Sequence, residues 1–501
     1  MALLTRAYLK EHTPQGIAVG SLKQYPEKVL QIGEGNFMRG FVDWMIDGLN
    51  RQGLFNGSIL VVHPTPRGHA AQLDAQDGLY SLILRSRIDG QVRDDRQIVT
   101  AIDRALDPYQ QYEAFLASAR QKEMRFIFSN TTEAGIAYVA QARPDACPES
   151  FPAKLAIWLY ERYRAFGGAQ DKGMVVIPCE LIEQNGQKLR QIILRHAKDW
   201  GLESGFESWI TSACTFLDTL VDRIVTGYPA AEAESLQAAW GYEDRMIDTG
   251  EIFHFFAIQG DASWDEELPL VKGGYNVVWA RDIAPYRDRK VRLLNGAHTM
   301  SVLAAYLGGL DIVGEMVADG DFGAFLRSGL YQEIIPGVAL PLEEKQAFAD
   351  AVLERFSNPF MKHKLLDISL NSVSKFKVRN LPSIKAALER GETPRRLLLA
   401  LAALFAFYRP ARQADGAFFG RRAGGDEYPI RDDQEILQAF AEAWAAYDAN
   451  ADAAALVRAL CARADFWGED LTRLPGLTAG VTEQLQTILD KGTRAACAAL
   501  K

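Results

Sequence analysis

The sequence predicts an α/β domain with a doubly wound, mostly parallel sheet, followed by a mainly α-helical domain. A strand, a glycine-rich turn, a helix and a second strand follow one another within residues 28–62, and strands keep alternating with helices up to about residue 281. From residue 282 the pattern changes to long alanine- and leucine-rich helical segments. We therefore expect a leader at residues 1–25, an α/β domain at 26–281 and a helical domain at 282–501.

The first βαβ unit occupies residues 28–62. Residues 28–32 and 59–62 are short apolar runs that predict buried parallel strands. Between them, apolar side chains recur with the i, i+3, i+4, i+7 spacing of a helix face. They are Phe41, Trp44, Met45, Gly48 and Leu49.

The remaining elements extend this pattern into both domains. We expect strands at residues 79–85, 124–130 and 174–180, and helices at 109–122 and 153–166. Residues 397–408 are apolar throughout but shorter than the roughly 20 residues that cross a bilayer, so they predict a buried core helix. The glycine-rich, charged residues 411–429 predict an exposed loop.

Composition excludes several classes of protein. The 501 residues, 48% of them hydrophobic, suffice for two or three domains with large cores. A net charge of -9, from 55 basic and 64 acidic residues, argues against general affinity for nucleic acid or an anionic membrane. Five widely spaced cysteines and a start without an apolar signal core favour a reducing cytoplasm. The scattered histidines form no H-E-x-x-H motif, so no metal site is expected.

The glycine turn at residues 33–40, GEGNFMRG, is a candidate phosphate-binding site. Such a turn brings the backbone close to a pyrophosphate at a helix N-terminus, where free N–H groups favour an anion. Its position after the first strand predicts a Rossmann-type dinucleotide site, although Met38 replaces the third glycine of G-x-G-x-x-G. A plain strand-to-helix turn is the alternative. The candidate cofactor contacts are Gly33, Gly35, Asn36, Phe37 and Arg39.

The second strand ends without the acidic residue that usually holds the ribose hydroxyls of NAD. His63, Pro64 and Thr65 follow it, with Arg67 nearby. The choice between NAD and NADP therefore stays open.

Residues 129–135, SNTTEAG, follow a predicted central strand and so belong to the ligand-binding edge of the sheet. Thr131, Thr132 and Glu133 are candidates for contacts with the nicotinamide end. From the spacing alone, an ordinary capped turn fits equally well.

Residues 290–298, KVRLLNGAH, place polar groups on an apolar helix face. At 100° per residue, Lys290, Asn295 and His298 share that face with Val291 and Leu294. An ammonium group in apolar surroundings has a lowered pKa, which suits a general base near neutral pH. An amide can donate to a carbonyl or developing alkoxide, and an imidazole can relay a proton. The three together predict oxidation of a secondary alcohol with a nicotinamide as hydride acceptor.

Each of these residues also has a structural interpretation. Lys290 can extend its ammonium group to solvent, Asn295 can cap a helix, and His298 can be a core histidine. Tyr286 and Lys290 also have the Y-x-x-x-K spacing of short-chain dehydrogenases. Because Pro285 precedes the tyrosine and the pair lies outside the α/β domain, we interpret that match as coincidence.

Several motifs together resemble one enzyme family. LVDRIV at residues 220–225 and K-x4-N-x2-H, formed by Lys290, Asn295 and His298, are similar to the mannitol dehydrogenase family of polyol-specific long-chain dehydrogenases. The motifs IGEGNFMRGFVDW, SNTTEAGI, PCELI, LVDRIVTGYP, LLNGAHT and EIIP extend the resemblance over nearly the whole chain from about residue 25.

This resemblance implies a Rossmann-type domain joined to a helical domain, with the substrate between them, NAD as cofactor and no metal. It implies that Lys290 is the general acid or base and that Asn295 and His298 orient and polarise the substrate oxygen. Asp222 and Arg223 of the V-D-R element are implied to lie near the active site.

Two departures separate this chain from the mannitol branch of the family. Cys179, Glu180 and Leu181 stand where that branch has C-D-N, whose asparagine helps form an oxyanion pocket. In addition, I-V-T-G follows the V-D-R element in place of I-T-P. The PCELI form resembles a uronate branch, which implies interconversion of tagaturonate and altronate in hexuronate catabolism.

A uronate carboxylate needs a cationic partner, preferably an arginine that binds it with two parallel hydrogen bonds. Residues 362–379 resemble a region that lines the substrate pocket in the family, and Lys375 with Arg379 is the preferred pair. A solvated basic face is the alternative.

Other functions stay open at this point. They are the sister reaction on fructuronate and mannonate, an uncharged polyol as substrate, and a dinucleotide-binding sensor without catalysis. The expected partner is a small sugar acid rather than nucleic acid or a membrane, and the sequence leaves the oligomeric state open.

Overall fold

The computed structural model describes residues 1–88, 90–132 and 134–501. It divides into two compact units, each described here by itself. The N-terminal unit comprises Met1–Ser86 and Val92–Ile283, and the C-terminal unit comprises Arg87–Gln91 and Ala284–Lys501.

Most strands belong to the N-terminal unit. They are β1 (Ala2–Leu3), β2 (Ala18–Val19), β3 (Glu27–Ile32), β4 (Ser58–Val62), β5 (Tyr80–Ile88), β6 (Gln91–Val99), β7 (Ile102–Leu106), β8 (Phe126–Ser129), β9 (Val175–Pro178), β10 (Thr215–Phe216), β11 (Thr219–Asp222), β12 (Tyr242–Glu243), β13 (Asp248–Gly250), β14 (Phe255–Gln259) and β15 (Val277–Ala280).

The same unit contains nine α-helices among its described residues, besides short 3-10 helices at Gln170–Lys172 and Ala262–Glu266 and a π-helical turn at Arg39–Asp43. The helices are α1 (Arg6–Glu11), α2 (Asn36–Met38), α3 (Trp44–Arg51), α4 (Ala70–Ala75), α5 (Tyr112–Ser118), α6 (Phe151–Ala165), α7 (Asn185–Asp199), α8 (Ser204–Ser212) and α9 (Ala233–Trp240).

The central sheet has six strands in the order β10-β9-β8-β3-β4-β7, and its paired strands are parallel. The order reverses at β3, as in doubly wound dinucleotide-binding folds. Successive residues of β4 pack on opposite faces: Leu60 joins the core that contains Trp158, and Val61 joins the core that contains Phe41. The predicted fold class is therefore confirmed for this unit.

Smaller sheets surround the central one. They have the orders β13-β5-β6-β2 and β11-β14-β15, and β1 pairs with β12. The strand predicted at residues 79–85 is β5, which lies in one of these sheets and not in the central one. Neighbouring parallel strands need a long crossover, whereas β5 continues into β6 within a few residues.

The C-terminal unit is largely helical. It also has π-helical turns at Lys290–Asn295 and Leu330–Ile334 and 3-10 helices at Ile335–Gly337 and Leu471–Arg473. Its helices are α10 (Ala284–Arg289), α11 (Gly296–Leu307), α12 (Val313–Ala318), α13 (Phe322–Gly329), α14 (Leu342–Phe356), α15 (Leu365–Ile368), α16 (Ser372–Arg379), α17 (Leu381–Glu389), α18 (Arg395–Phe407), α19 (Gln434–Asn450), α20 (Ala453–Cys461), α21 (Ala464–Trp467) and α22 (Leu477–Ala498).

Helix α18 forms the centre of this unit, because it packs against both α11 and α22. Its leucines and alanines from Leu397 to Leu404 are buried all round, as predicted for a core helix. Within the described parts of the chain, no helix combines the length and apolar character that crossing a bilayer requires.

The exposed loop predicted at residues 411–429 is wrong. The segment forms an antiparallel sheet of β16 (Arg412–Ala414), β17 (Ala417–Arg421) and β18 (Glu427–Ile430). Phe418 and Tyr428 are buried, and the Tyr428 ring stacks on Phe407 with centroids 4.6 Å apart. Alternating burial along short strands was masked in the sequence by the surrounding glycines and charges.

Candidate active site

The glycine turn after β3 exposes its backbone at one residue. Gly33 has a φ of +123°, and a Cβ there would lie 2.8 Å from Asn130 O, so the position requires glycine. At Gly35, by contrast, no atom of the described residues lies within 4 Å of where a Cβ would be. An anion can therefore approach the backbone at Gly35, where α2 begins, and the turn fits a pyrophosphate.

The close helix packing of the glycine fingerprint occurs two residues later than the motif predicts. Met38, at the third glycine position, is buried in the core. A Cβ at Gly40 would lie 2.9 Å from Val225 Cγ2. Gly40 thus allows the close approach that the third glycine provides in the standard motif.

The other candidate contacts of the turn differ in exposure. Asn36 is exposed and Phe37 is half-buried, whereas Arg39 is only 4% exposed. The Arg39 guanidinium donates to Glu34 O at 3.2 Å, to Asn36 Oδ1 at 2.6 Å and to Met246 O. Arg39 therefore supports the turn from its inner side, and its contact with a cofactor stays a prediction.

A cavity of 380 Å³ opens at the carboxyl ends of β4 and β8, the strands on either side of β3. Pro64 and Thr65 line it from β4, and Thr131 lines it from β8. Two further lining atoms, Gln141 Nε2 and Ser150 Oγ, are buried and have no hydrogen-bond partner among the described residues. Unpaired buried polar atoms favour a polar ligand, and this edge of the sheet is where such folds bind one.

Glu180 organises the segment after β8. Thr131 donates to Glu180 Oε1 through its backbone N–H and its hydroxyl, both at 3.0 Å, and Ser129 Oγ donates to Oε2 at 3.0 Å. Burial raises the pKa of Glu180. Thr132 has a φ of +74°, a strained conformation for a β-branched residue that occurs preferentially at functional sites. The predicted contact Glu133 lies outside the described residues.

The oxyanion-pocket asparagine of the mannitol branch has no counterpart at Leu181, whose hydrocarbon side chain is 57% exposed. Asn185 is near in sequence, but its amide donates to Pro178 O at 2.9 Å and Glu180 O at 3.0 Å. That amide is therefore committed to holding the backbone after β9.

Asp222 and Arg223 follow one another at the end of β11, and both are buried. The Arg223 guanidinium donates to the carbonyls of Glu251 at 2.8 Å and Gly40 at 2.7 Å, and it lies 4.1 Å from the ring centre of Trp44. Burial lowers the pKa of Arg223 to about 9. Arg223 thus fixes the helix after the glycine turn, and its contact with substrate stays a prediction.

Lys290, Asn295 and His298 lie on one continuous helical stretch, as predicted, but the stretch is not a uniform α-helix. Residues Lys290–Asn295 form a π turn between α10 and α11. A π turn bonds residue i to residue i+5 and is frequent at functional sites. It therefore brings Lys290 and Asn295, which are five residues apart, closer to one line than an α-helix does. Lys290, Asn295 and His298 are all half-buried.

His298 lies in a pocket of aromatic and basic groups. Its ring stacks on Phe356 with centroids 3.9 Å apart and meets His363 edge-on at 5.6 Å. Nδ1 is buried and has no hydrogen-bond partner among the residues that the structure describes. Burial lowers the pKa of His298 well below its usual value, and the neighbouring His363 and the charges of Arg379, Arg355 and Lys375 lower it further. The imidazole is therefore neutral at neutral pH.

The predicted carboxylate-binding pair lies beside this histidine. Lys375 and Arg379 are four residues apart on α16, so they share one helix face. Arg379 Nη1 donates to Thr299 Oγ1 at 3.1 Å, and Lys375 Nζ donates to Ile368 O at 2.9 Å. Burial lowers the pKa of both side chains. We call His363, Lys375 and Arg379 the basic cluster.

The structure thus groups the predicted residues by unit. The glycine turn, Thr131, Asp222 and Arg223 belong to the N-terminal unit, and the helix of Lys290 with the basic cluster belongs to the C-terminal unit. Sequence reasoning missed His363, because only the fold brings it to His298. Across residues 1–88, 90–132 and 134–501, no group of three His, Cys, Asp or Glu side chains is arranged to bind a metal.

Two family models match the chain. The model described as the mannitol dehydrogenase Rossmann domain covers residues 27–272, and the mannitol dehydrogenase C-terminal domain covers residues 282–489. Curated relatives are altronate oxidoreductases. That of Pectobacterium atrosepticum is 47% identical over 95% of this chain and 97% of its own length, and that of Klebsiella pneumoniae is 46% identical over 94% and 96%.

Solved structures share the fold at lower identity. A substrate-free D-sorbitol dehydrogenase has a TM-score of 0.81 and 23% identity, with 99% of this chain and 100% of that chain covered. The Pseudomonas fluorescens mannitol 2-dehydrogenase, solved as a ternary complex with NAD and D-mannitol, has a TM-score of 0.70 and 21% identity, with 100% and 99% covered. Since the family models and the relatives span nearly the whole sequence, the chain belongs to the mannitol dehydrogenase family.

Proposed function

We propose that this protein is an NAD-dependent oxidoreductase that interconverts D-tagaturonate and D-altronate. The observation that carries the proposal is the basic cluster around a neutral histidine, in the unit whose π turn presents Lys290 and Asn295. A sugar acid brings a carboxylate, which a polyol lacks, and partly desolvated cations attract that group strongly. Altronate oxidoreductases at 45–47% identity support the same substrate.

The residues of the π turn would handle the substrate oxygen. In reduction of the keto acid, the Lys290 ammonium donates a proton to the oxygen of the carbonyl that becomes the hydroxyl, and in oxidation the Lys290 amine takes that proton back. The Asn295 amide donates a hydrogen bond to the same oxygen as negative charge develops on it. Neutral His298 can donate or accept through its ring nitrogens and so orients the hydroxyl.

Arg379 and Lys375 would hold the carboxylate. Arginine binds a carboxylate with two parallel hydrogen bonds, which fixes its plane as well as its position. Lys375 adds a second positive charge on the same helix face. A bound carboxylate offsets the positive charges near His298, so we expect the pKa of His298 to rise when substrate binds.

The glycine turn would hold the cofactor. Gly35, whose backbone is open to an anion, would bind the pyrophosphate together with Gly33, Asn36 and Phe37. Thr131, which lines the cavity, and the adjacent Thr132 would contact the nicotinamide end. Bound NAD supplies the acceptor or donor of hydride. Arg39 is proposed to contact the cofactor as well as to support the turn, and Asp222 and Arg223 are proposed to contact the substrate.

We also propose that the functional division follows the predicted boundaries, with a leader at residues 1–25, a cofactor domain at 26–281 and a catalytic domain at 282–501. The family models, which meet between residues 272 and 282, support this division. The five cysteines are free thiols, which fits the proposed cytoplasmic location.

The substrate assignment is tested by absorbance of the reduced cofactor with purified protein. NADH and then NADPH are offered with tagaturonate, fructuronate and fructose in parallel. We expect rapid NADH loss with tagaturonate. Preference for fructuronate or fructose would move the enzyme to a sister activity, and cofactor binding without turnover of any substrate would favour the sensor function.

The role of Lys290 is tested by Lys290→Met, which removes the proton-carrying group but keeps a flexible apolar stem. We expect kcat to fall by a factor of about 10² or more, because positioned acid–base groups contribute that much. The affinity for NADH, measured by its fluorescence, stays unchanged. Lys491→Met, at an exposed lysine of the same unit, is the control. Undiminished turnover in Lys290→Met would overturn the proposed chemistry.

A further inference from the structure

The adenosine end of the proposed cofactor site lacks its usual acidic residue. In NAD-specific folds an aspartate or glutamate after the second strand of the sheet accepts hydrogen bonds from the ribose hydroxyls. Here β4 is followed by His63, Pro64 and Thr65. His63 Nε2 lies 2.9 Å from Asp107 Oδ1. Because these two side chains pair with each other, neither is available to bind the ribose hydroxyls.

A carboxylate reaches this place from another segment, the glycine turn itself. Glu34 lies between Gly33 and Gly35, and its Oε1 accepts a hydrogen bond from the backbone N–H of His69 at 2.9 Å. A Cβ at Gly68 would clash with His63 and lie 2.6 Å from Glu34 Oε1. The Glu34 carboxylate is therefore packed against residues 63–69, the segment that follows β4.

One oxygen of this carboxylate has no protein partner. Glu34 is 7% exposed, and its Oε2 is buried without a hydrogen-bond partner among the described residues. Burying a carboxylate oxygen without a hydrogen-bond partner is unfavourable, so its retention calls for a ligand or an ordered water. The contact of Oε1 with His69 alone gives no reason to bury the second oxygen.

The surroundings hold the segment after β4 firmly in place. The buried Lys154 donates through Nζ to Pro64 O at 2.7 Å and to Tyr109 Oη at 3.1 Å. Pro64 in turn lines the cavity at the ends of β4 and β8. The Glu34 carboxylate and the wall of this cavity therefore both contact the segment that follows β4.

We propose that Glu34 replaces the missing acidic residue and determines the preference for NAD over NADP. Its Oε2 accepts a hydrogen bond from the adenosine ribose diol of NAD. The same negative charge repels the 2′-phosphate of NADP, which carries nearly two negative charges near neutral pH. This inference rests on the proposed function only in that the turn binds a nicotinamide dinucleotide.

The test is Glu34→Gln, which keeps the shape and the contact with His69 but removes the charge. Dissociation constants of NADH and NADPH are measured by titration calorimetry, without substrate, beside the melting temperature of each variant. We expect the preference for NADH to shrink at least tenfold, with NADPH bound more tightly than by the wild type. Glu34→Asp, which retains the charge, keeps NADPH excluded and serves as the second variant should Glu34→Gln fail to fold.

Two controls separate the possible failures. Glu123→Gln removes an exposed carboxylate of the same unit that does not line this cavity, and it leaves the preference unchanged. Equal weakening of both cofactors in Glu34→Gln would show a purely structural role, and an equal change of preference in Glu123→Gln would show a general effect of net charge. Either result overturns the inference while the proposed function stands. Absence of any dinucleotide binding by the wild type would overturn both.

Discussion

At the scale of single residues, the N-terminal unit keeps carboxyl groups where they are hard to ionise. Asp248 is fully buried, and burial raises its pKa to about 7, although the charge of Arg39 opposes that rise. Its Oδ2 has no hydrogen-bond partner among the described residues, while Oδ1 accepts from the Thr249 N–H at 2.9 Å. Asp43 is buried nearby, and its pKa is raised as well. Burial of Asp248 therefore makes stability depend on pH up to about neutrality.

The direction of this dependence follows from linkage. Because the native state of Asp248 has a higher pKa than the unfolded chain, its contribution is complete below the ordinary carboxyl pKa and is lost as pH rises through about 7. We therefore expect the ionisation of Asp248 to lower the free energy of unfolding progressively from about pH 4 to about pH 7. In Asp248→Asn this part of the fall disappears, as measured by urea denaturation at both pH values.

The matched control for this prediction is Asp95→Asn, at an exposed carboxylate of β6. The control should retain the slope of the wild type. A slope that is identical in all three proteins would mean that Asp248 ionises as readily in the native state as in the unfolded chain.

At the scale of elements, α16 places two basic side chains beside the helix that carries His298. The i, i+4 spacing puts Lys375 and Arg379 on one face, and the bond from Arg379 to Thr299 ties that face to the residue after His298. The resemblance to a pocket-lining region of the family led to the choice of this pair, and its role as a carboxylate site stays a prediction. The sequence could not predict the neighbourhood with His298 or His363, because those contacts join segments far apart in the chain.

This arrangement predicts the effect of Arg379→Lys. The variant keeps the positive charge but loses the planar fork that binds a carboxylate twice. We expect KM for tagaturonate to rise about tenfold, equivalent to ~1.4 kcal/mol, with KM for NADH unchanged. Steady-state kinetics measure both values.

Arg421→Lys is the control for this variant, because Arg421 pairs with Glu427 in the sheet of β16, β17 and β18. It should behave as the wild type. A KM for tagaturonate that does not change in Arg379→Lys would remove Arg379 from the carboxylate site.

The π turn at Lys290–Asn295 marks the limit of helical-wheel reasoning within an element. A wheel at 100° per residue assigned Lys290, Asn295 and His298 to one face, and the structure keeps them on a partly accessible side. The wheel could not predict the extra residue in the turn, because apolar periodicity does not distinguish an α turn from a π turn over so few residues.

At the scale of the whole molecule, local sequence patterns predicted the architecture but not the pairing of strands that are distant in the sequence. Glycine turn, alternation and composition were enough for the doubly wound sheet and the helical unit. They failed for the sheet that contains β5 and for residues 411–429, since strand partners are chosen by tertiary packing. The position of Glu34 could not be predicted for a similar reason. Nothing in the sequence G-E-G indicates that its carboxylate contacts the segment that follows another strand, β4.

The two separate cores of the central sheet have a consequence for how substitutions combine. Leu60 and Val61 are adjacent in β4, yet Leu60 belongs to the core that contains Trp158 and Val61 to the core that contains Phe41. Energetic coupling between substitutions requires shared partners, and these neighbours have different ones. The effects of truncating Leu60 and Val61 on the free energy of unfolding should therefore add more closely than those of two truncations within one core, as a double-mutant cycle measures. In this sheet, whether two substitutions act independently on stability depends on which face of the strand each side chain occupies, and not on their separation in the sequence.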